Sequence, residues 1–127
     1  MLLLYFMGLF LGKNMNKNEA LDFANRNFNA VFNTSNTHFA NVNGAKPVWW
    51  LEIPINKIKS PSLPYIHLLL KSDNNLNWLK VDRLYLFDNL NGFKIRQKKD
   101  VISLEINTLT FQNMVGASKI SFRQFLT

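Results

Sequence analysis

The stretch from 46 to 54 constrains the fold of this chain most, because it is the most strand-like run in the sequence and prolines close it at both ends. Valine, tryptophan and isoleucine favour strands, since their bulk suits a pleated, half-buried surface. Proline has no N–H to donate, so Pro47 and Pro54 fit the ends of a strand or an edge. Side chains alternate across a strand, and Trp50 therefore lies opposite the apolar face and is the tryptophan we expect to be accessible. The apolar face carries Trp49, Leu51 and Ile53.

The composition bounds the class of protein. A chain of 127 residues, 47% hydrophobic and 18% charged, fits one globular domain with a sizeable core. Fifteen lysines and arginines against eight aspartates and glutamates give a net charge of +7. This charge favours anionic partners such as nucleic acid, an acidic protein or a membrane surface, without choosing among them. The absence of cysteine excludes a disulfide framework and cysteine zinc sites, and it is compatible with the cytoplasm, where we expect the protein.

Residues 1–12 are almost wholly apolar. A helix of this length, at about 1.5 Å per residue, is too short for a bilayer core of roughly 30 Å, so we expect no integral membrane span. A signal peptide would place basic residues before the apolar run and a small-residue cleavage site after it, and neither is present. The run could belong to the core or act as a weak anchor. We favour Met15 as the true start, which makes 1–14 an N-terminal extension and 15–127 a single domain.

The clearest helical pattern runs from 18 to 32, where apolar residues recur at spacings of three and four. Asn16 or Asn18 can cap its start. We expect its apolar stripe to pack on one face of the sheet. The stripe consists of Leu21, Ala24, Phe28, Val31 and Phe32.

Strand-like runs predict the remaining strands, at 38–42, 65–70, 78–81, 93–96 and 101–106, and the last two alternate cleanly. Asn43-Gly44 is a strong hairpin signal because both turn positions tolerate positive φ, so 38–42 should pair antiparallel with the tryptophan strand. The run at 65–70 reads as a central strand. The last two runs form a hairpin whose inward side chains are Phe93, Ile95, Ile102, Leu104 and Ile106.

Two short helices complete the predicted fold. Asp82 is a good N-cap for a helix at 83–90, and the alternative is a strand through 84–87. Ser121 opens a capping-box pattern near the C-terminus. The fold class is therefore α+β, a mostly antiparallel sheet with one main N-terminal helix packed on one face and short helices near 83–90 and the C-terminus.

If these strands form one sheet covered by the long helix, the opposite face collects aromatic, basic and acidic side chains. These are Trp50, Glu52, Tyr65, His67, Lys94, Arg96, Ser103 and Glu105. Aromatic rings beside cations on an open sheet suit single-stranded nucleic acid, because bases stack on rings and phosphates meet cations. The same face could instead be covered by the C-terminal elements or by a partner chain.

The densest basic cluster lies at 94–99. Clustered cations neutralise phosphates, although lysines at a hairpin tip also protect an edge strand from aggregation. The residues that we predict to contact nucleic acid are Trp50, Tyr65, Lys94, Arg96, Lys98 and Lys99.

His67 is a weak catalytic candidate, as a general base oriented by Glu52 or Glu105. A lone histidine in an apolar strand is more often a satisfied core residue. No glycine-rich phosphate loop, nucleophile elbow or HExxH motif occurs, so we expect no metal and no cofactor.

The leading functional hypothesis is a small basic non-enzymatic binding module for nucleic acid. One alternative is a protein-interaction or assembly subunit of the phage or mobile-element type, with a protein partner or further copies of itself. The other is a small nuclease-like enzyme, or a fragment of one, that uses His67 with a carboxylate. A contiguous basic surface favours the first, a large exposed apolar patch the second.

Overall fold

The computed structural model describes residues 14–73 and 75–127. The prediction of an N-terminal extension at 1–14 concerns residues that, apart from Asn14, lie outside these ranges. Within them the chain forms three α-helices, six strands and two 3₁₀ turns. The helices are α1 (Lys17–Asn27), α2 (Ile55–Ile58) and α3 (Arg83–Asp88), and the 3₁₀ turns are Leu90–Gly92 and Arg123–Phe125. The strands are β1 (Thr37–Asn41), β2 (Val48–Pro54), β3 (Tyr65–Lys71), β4 (Leu76–Asp82), β5 (Lys94–Arg96) and β6 (Val101–Asn107). The α+β class is confirmed.

The strands divide between two three-stranded sheets, where the sequence analysis assumed one. The first sheet has the order β1-β3-β4 and the second has the order β2-β6-β5. β1 pairs parallel with β3, and the other ladders are antiparallel. The central position predicted for 65–70 is confirmed, because β3 lies between β1 and β4.

The predicted hairpin between 38–42 and the tryptophan strand is wrong, apart from one isolated antiparallel bridge between Val42 and Trp49. The loop between β1 and β2, residues 42–47, makes local hydrogen bonds of its own before β2 begins. The Asn43 side chain accepts a hydrogen bond from the Ala45 amide, and the Val48 amide donates to the carbonyl of Lys46. A two-residue turn therefore does not form, and β1 satisfies its backbone groups on β3 instead.

One cluster of buried side chains joins the two sheets, and it uses the apolar faces that strand alternation predicts. Trp49 is 1% exposed, and its indole N–H donates to the Lys71 carbonyl at 2.9 Å, which ties β2 to the end of β3. The central members are Trp49, Leu51, Ile53, Ile66, Leu68, Leu70, Ile102, Leu104 and Ile106.

A second cluster joins α1 to the other face of the first sheet, through Leu69 and Leu76. α1 starts with a capping box, in which the Asn16 side chain accepts from the Glu19 amide at 2.8 Å and Glu19 accepts from the Asn16 amide at 2.9 Å. The buried residues of the helix are Ala20, Phe23 and Ala24.

The helix ends at Asn27, five residues before the predicted end at 32. The Asn25 side chain accepts from the Phe32 amide and donates to the Phe32 carbonyl, both at 2.8 Å, so it holds 28–32 as a returning loop. Asparagine side chains compete with helix hydrogen bonds in this way. Val31, which we predicted in the buried stripe, is consequently 75% exposed.

The elements after β4 follow the sequence pattern closely. Asp82 caps α3 by accepting from the Leu84 amide at 2.9 Å, and the hairpin of β5 and β6 is present. Ile95, which we predicted to point inward, is 43% exposed because β5 is a three-residue edge strand. The predicted C-terminal helix is a single 3₁₀ turn, at Arg123–Phe125.

Candidate nucleic-acid interface

The outer face of the second sheet, opposite the core, forms a candidate binding surface that we call the tryptophan face. Its members on the strands are Trp50, Glu52, Lys94, Arg96, Ser103 and Glu105. The register places Trp50 opposite Glu105, and it places Ser103 between Glu52 and Lys94 in one row. The face therefore contains six of the eight residues that the sequence analysis assigned to one surface.

Trp50 gives this face an aromatic surface in a defined position. The side chain is 45% exposed, while its indole N–H donates to the Ser103 hydroxyl at 3.2 Å. Ser103 is itself buried. The indole is thus anchored by its polar edge and accessible over much of its surface, which suits stacking against a planar ligand.

Ion pairs with Glu52 and Glu105 neutralise part of the positive charge on this face. Arg96 Nη1 donates to Glu52 Oε2 at 2.6 Å, and Lys99 Nζ donates to Glu52 Oε1 at 3.4 Å. Lys46 Nζ similarly lies 3.2 Å from Glu105 Oε1. Desolvation raises the pKa of Glu52, but hydrogen bonds from Arg96 and Lys99 and their charges outweigh it and lower that pKa below its ordinary value.

Lys94 and Lys98 carry the free positive charge. Both are exposed, and within residues 14–73 and 75–127 neither has an ion-pair partner. Lys98 belongs to the hairpin tip, where 96–99 line a shallow concavity of about 280 Å³. Of the predicted contacts, Trp50, Lys94 and Arg96 lie on the face, while Lys98 and Lys99 follow in the loop after Arg96.

Tyr65 does not belong to this group, because it lies on β3 in the first sheet. It is 41% exposed, and the Lys80 ammonium lies 4.3 Å from the centre of its ring. This cation–π pair is a separate surface feature. Tyr65 and Trp50 would share a face only if all the strands formed a single sheet, as the sequence pattern alone suggested.

His67 is also in the first sheet, packed beneath Phe32, and it is 6% exposed. Its Nδ1 accepts a hydrogen bond from the Trp78 indole N–H at 3.1 Å. Burial lowers the pKa of His67, and the charge of Lys80 lowers it further, so the ring is neutral at pH 7. Glu52 and Glu105 lie on the other sheet, so the arrangement required for a general base is not formed.

Two features of the tryptophan face were not predicted from the sequence: the ion pair of Lys46 with Glu105, and the pairing of Glu52 with two cations. Lys46 lies at position i−4 from Trp50, so the period-two pattern extended by one step would have included it. The pairing of Glu52 with Arg96 needs the register of three strands, which no local pattern contains.

Two further findings concern the described part of the chain. No group of three or more histidine, aspartate or glutamate side chains there is arranged to hold a metal ion. Nor does that part contain a helix long and apolar enough to cross a membrane. Comparison with protein-family models, with curated proteins and with solved structures finds no match, so function has to be inferred from the geometry itself.

Proposed function

We propose that this protein is a small, basic, non-enzymatic module that binds single-stranded nucleic acid on the tryptophan face. The observation that carries the proposal is an anchored, half-exposed indole on a sheet face that also presents cations. Bases stack on such rings whatever their identity, and phosphates pair with lysine and arginine. Single strands fit better than duplex, because the bases of a duplex are stacked on one another and offer no free face to the indole.

The charges around Trp50 support the same assignment. Lys94 and Lys98 are available for phosphates, while Arg96 and Lys99 are bound to a carboxylate that a phosphate can replace. Among residues 14–73 and 75–127, the large exposed apolar side chains lie on different elements and loops, except for Leu84 and Phe87 on α3, so this part of the chain gives the assembly alternative less support. We expect the module to act in the cytoplasm.

The test is fluorescence anisotropy with labelled single-stranded and duplex oligonucleotides of equal length, at two salt concentrations. Stacking on an aromatic side chain contributes about 1–3 kcal/mol per base, so Trp50→Ala should weaken single-strand binding about fivefold or more. Tyr65→Ala is the matched aromatic control, because Tyr65 is similarly exposed on the other sheet, and it should leave binding unchanged.

The salt dependence tests the cations separately. Each neutralised phosphate of a single strand contributes about 0.7 to the slope of log K against log salt. Replacing both Lys94 and Lys98 by methionine should therefore reduce that slope by about 1.4, whereas Lys80→Met should not change it. The proposal fails if the wild-type protein does not bind at low salt, or if Trp50→Ala binds as tightly as Tyr65→Ala.

A further inference from the structure

A second group of basic side chains lies at the edge of the first sheet, away from the tryptophan face. His38 is on the edge strand β1, and its Nε2 lies 3.4 Å from Lys57 Nζ of α2. Lys57 Nζ also donates to the Thr34 carbonyl at 3.2 Å. The charge of Lys17, the first residue of α1, contributes to the lowering of the pKa of both His38 and Lys57. Elements from three parts of the chain thus bring three basic groups together.

The contact between His38 and Lys57 determines which nitrogen of the imidazole ring carries the proton. An ammonium group only donates hydrogen bonds, so Nε2 must accept and the ring proton must be on Nδ1. His38 is therefore neutral in the free protein. Burial, followed by the charges of Lys57 and Lys17, lowers the pKa of His38 to about 3, in agreement with this arrangement.

The lysines of this group have no counter-ion within the described part of the chain. The ion pairs found there use Arg26, Lys46, Arg96 and Lys99. Desolvation lowers the pKa of Lys57, which the charge of Lys17 lowers further, and desolvation also lowers the pKa of Lys17. Lys71 differs from these two lysines because it has an acidic neighbour: desolvation lowers the pKa of Lys71, and the charge of Asp73 partly offsets that lowering. Partly buried like charges without an anion are unfavourable, and a bound anion relieves their repulsion.

We propose that Lys17, His38 and Lys57 form a binding site for a phosphate-type oxyanion, such as inorganic phosphate or a phosphate monoester. All three residues are partly exposed, so a small ligand can reach them. The oxyanion accepts hydrogen bonds from both ammonium groups. Its charge also favours proton uptake by His38, which turns Nε2 from an acceptor into a donor. The site is separate from the tryptophan face and does not depend on the function proposed for it.

The first test measures the unfolding temperature in sodium phosphate and in sodium chloride of equal ionic strength, at pH 6. Phosphate at ten times its dissociation constant should raise the unfolding temperature by about 5 °C. Lys57→Met should abolish the shift. Lys59→Met, which removes an exposed lysine two residues further on, should retain it, and so should Lys98→Met on the hairpin tip.

The second test follows the His38 ring by NMR as a function of pH. Phosphate should raise the pKa of His38 by at least about one unit, and chloride should not. If Lys57→Met does not fold, Lys17→Met provides the same comparison, with a reduced shift. Equal unfolding temperatures in phosphate and chloride overturn the site, as does a full phosphate shift in the folded lysine variant.

Discussion

His38 should make the free energy of unfolding decrease as the pH falls below about 6.5, and replacing His38 should remove this contribution. The pKa of His38 is about 3 in the folded protein, against an ordinary value of 6.5, because burial and then Lys57 and Lys17 disfavour the charged ring. Between these two values the unfolded chain binds more protons than the folded one. Stability is therefore fully present above pH 6.5 and decreases as the pH falls toward 3.

The expected size follows from the same two values. One proton of difference changes the free energy of unfolding by about 1.4 kcal/mol per pH unit. From pH 7 to pH 4.5 the contribution of His38 should come to about 2.5 kcal/mol, allowing for the gradual onset near 6.5. His67 acts in the same direction, because burial and Lys80 also lower its pKa, so the wild-type loss should be larger than this.

Urea unfolding at pH 7 and pH 4.5, in chloride and without phosphate, measures the effect. His38→Gln keeps a hydrogen-bond acceptor for Lys57 but cannot be protonated, so it should lose about 2.5 kcal/mol less than the wild type between the two pH values. The comparison removes the contributions of His67 and of the carboxylates, which both proteins share. Equal losses in the two proteins, within about 0.5 kcal/mol, would refute the assignment of His38 as buried and neutral.

Three further predictions concern the tryptophan face and the core. Glu52→Gln should tighten single-strand binding about two- to threefold at low salt and steepen its salt dependence, because it frees two cations; anisotropy measures both, and weaker binding would contradict the proposed competition. Trp49→Phe should lower the free energy of unfolding by about 2 kcal/mol, through lost volume and a carbonyl left unpaired, whereas Trp50→Phe should change it by less than about 1. Asn25→Ala should cost about 1–2 kcal/mol in urea unfolding, because both of its hydrogen bonds to Phe32 are lost; a neutral result would mean that the loop is held by packing alone.

Strand alternation predicted most of the side chains that point inward, with Ile95 as an exception. It separated Trp49 from Trp50 correctly, because the period of two is a local property of an extended backbone. The hairpin of β5 and β6 and the cap at Asp82 were predictable for the same reason, since turns and caps depend on residues close in sequence. The early end of α1 was not predictable, because Asn25 stops it by binding a backbone seven residues away.

The arrangement of the sheets depends on contacts that no short window contains. β1 pairs parallel with β3, and the connection between them contains the whole of β2 and α2, as a parallel pair requires a long crossover. The assumption of a single sheet also affected the predicted site, because Tyr65 and His67 were assigned to the face of Trp50 although they lie on the other sheet. His38 and Lys57 likewise meet only because α2 returns to the edge of the first sheet.

Register, more than the number of charges, decides which cations of the tryptophan face can bind a ligand. The row formed by Glu52, Ser103 and Lys94 places the buried hydroxyl between the carboxylate and the lysine. Glu52 pairs instead with Arg96, two residues further along β5, which leaves Lys94 free in the row next to Trp50. Net charge cannot distinguish Lys94 from Arg96, but the register does, and under the proposed function Lys94 is the cation that we expect to meet the phosphate of a base stacked on Trp50.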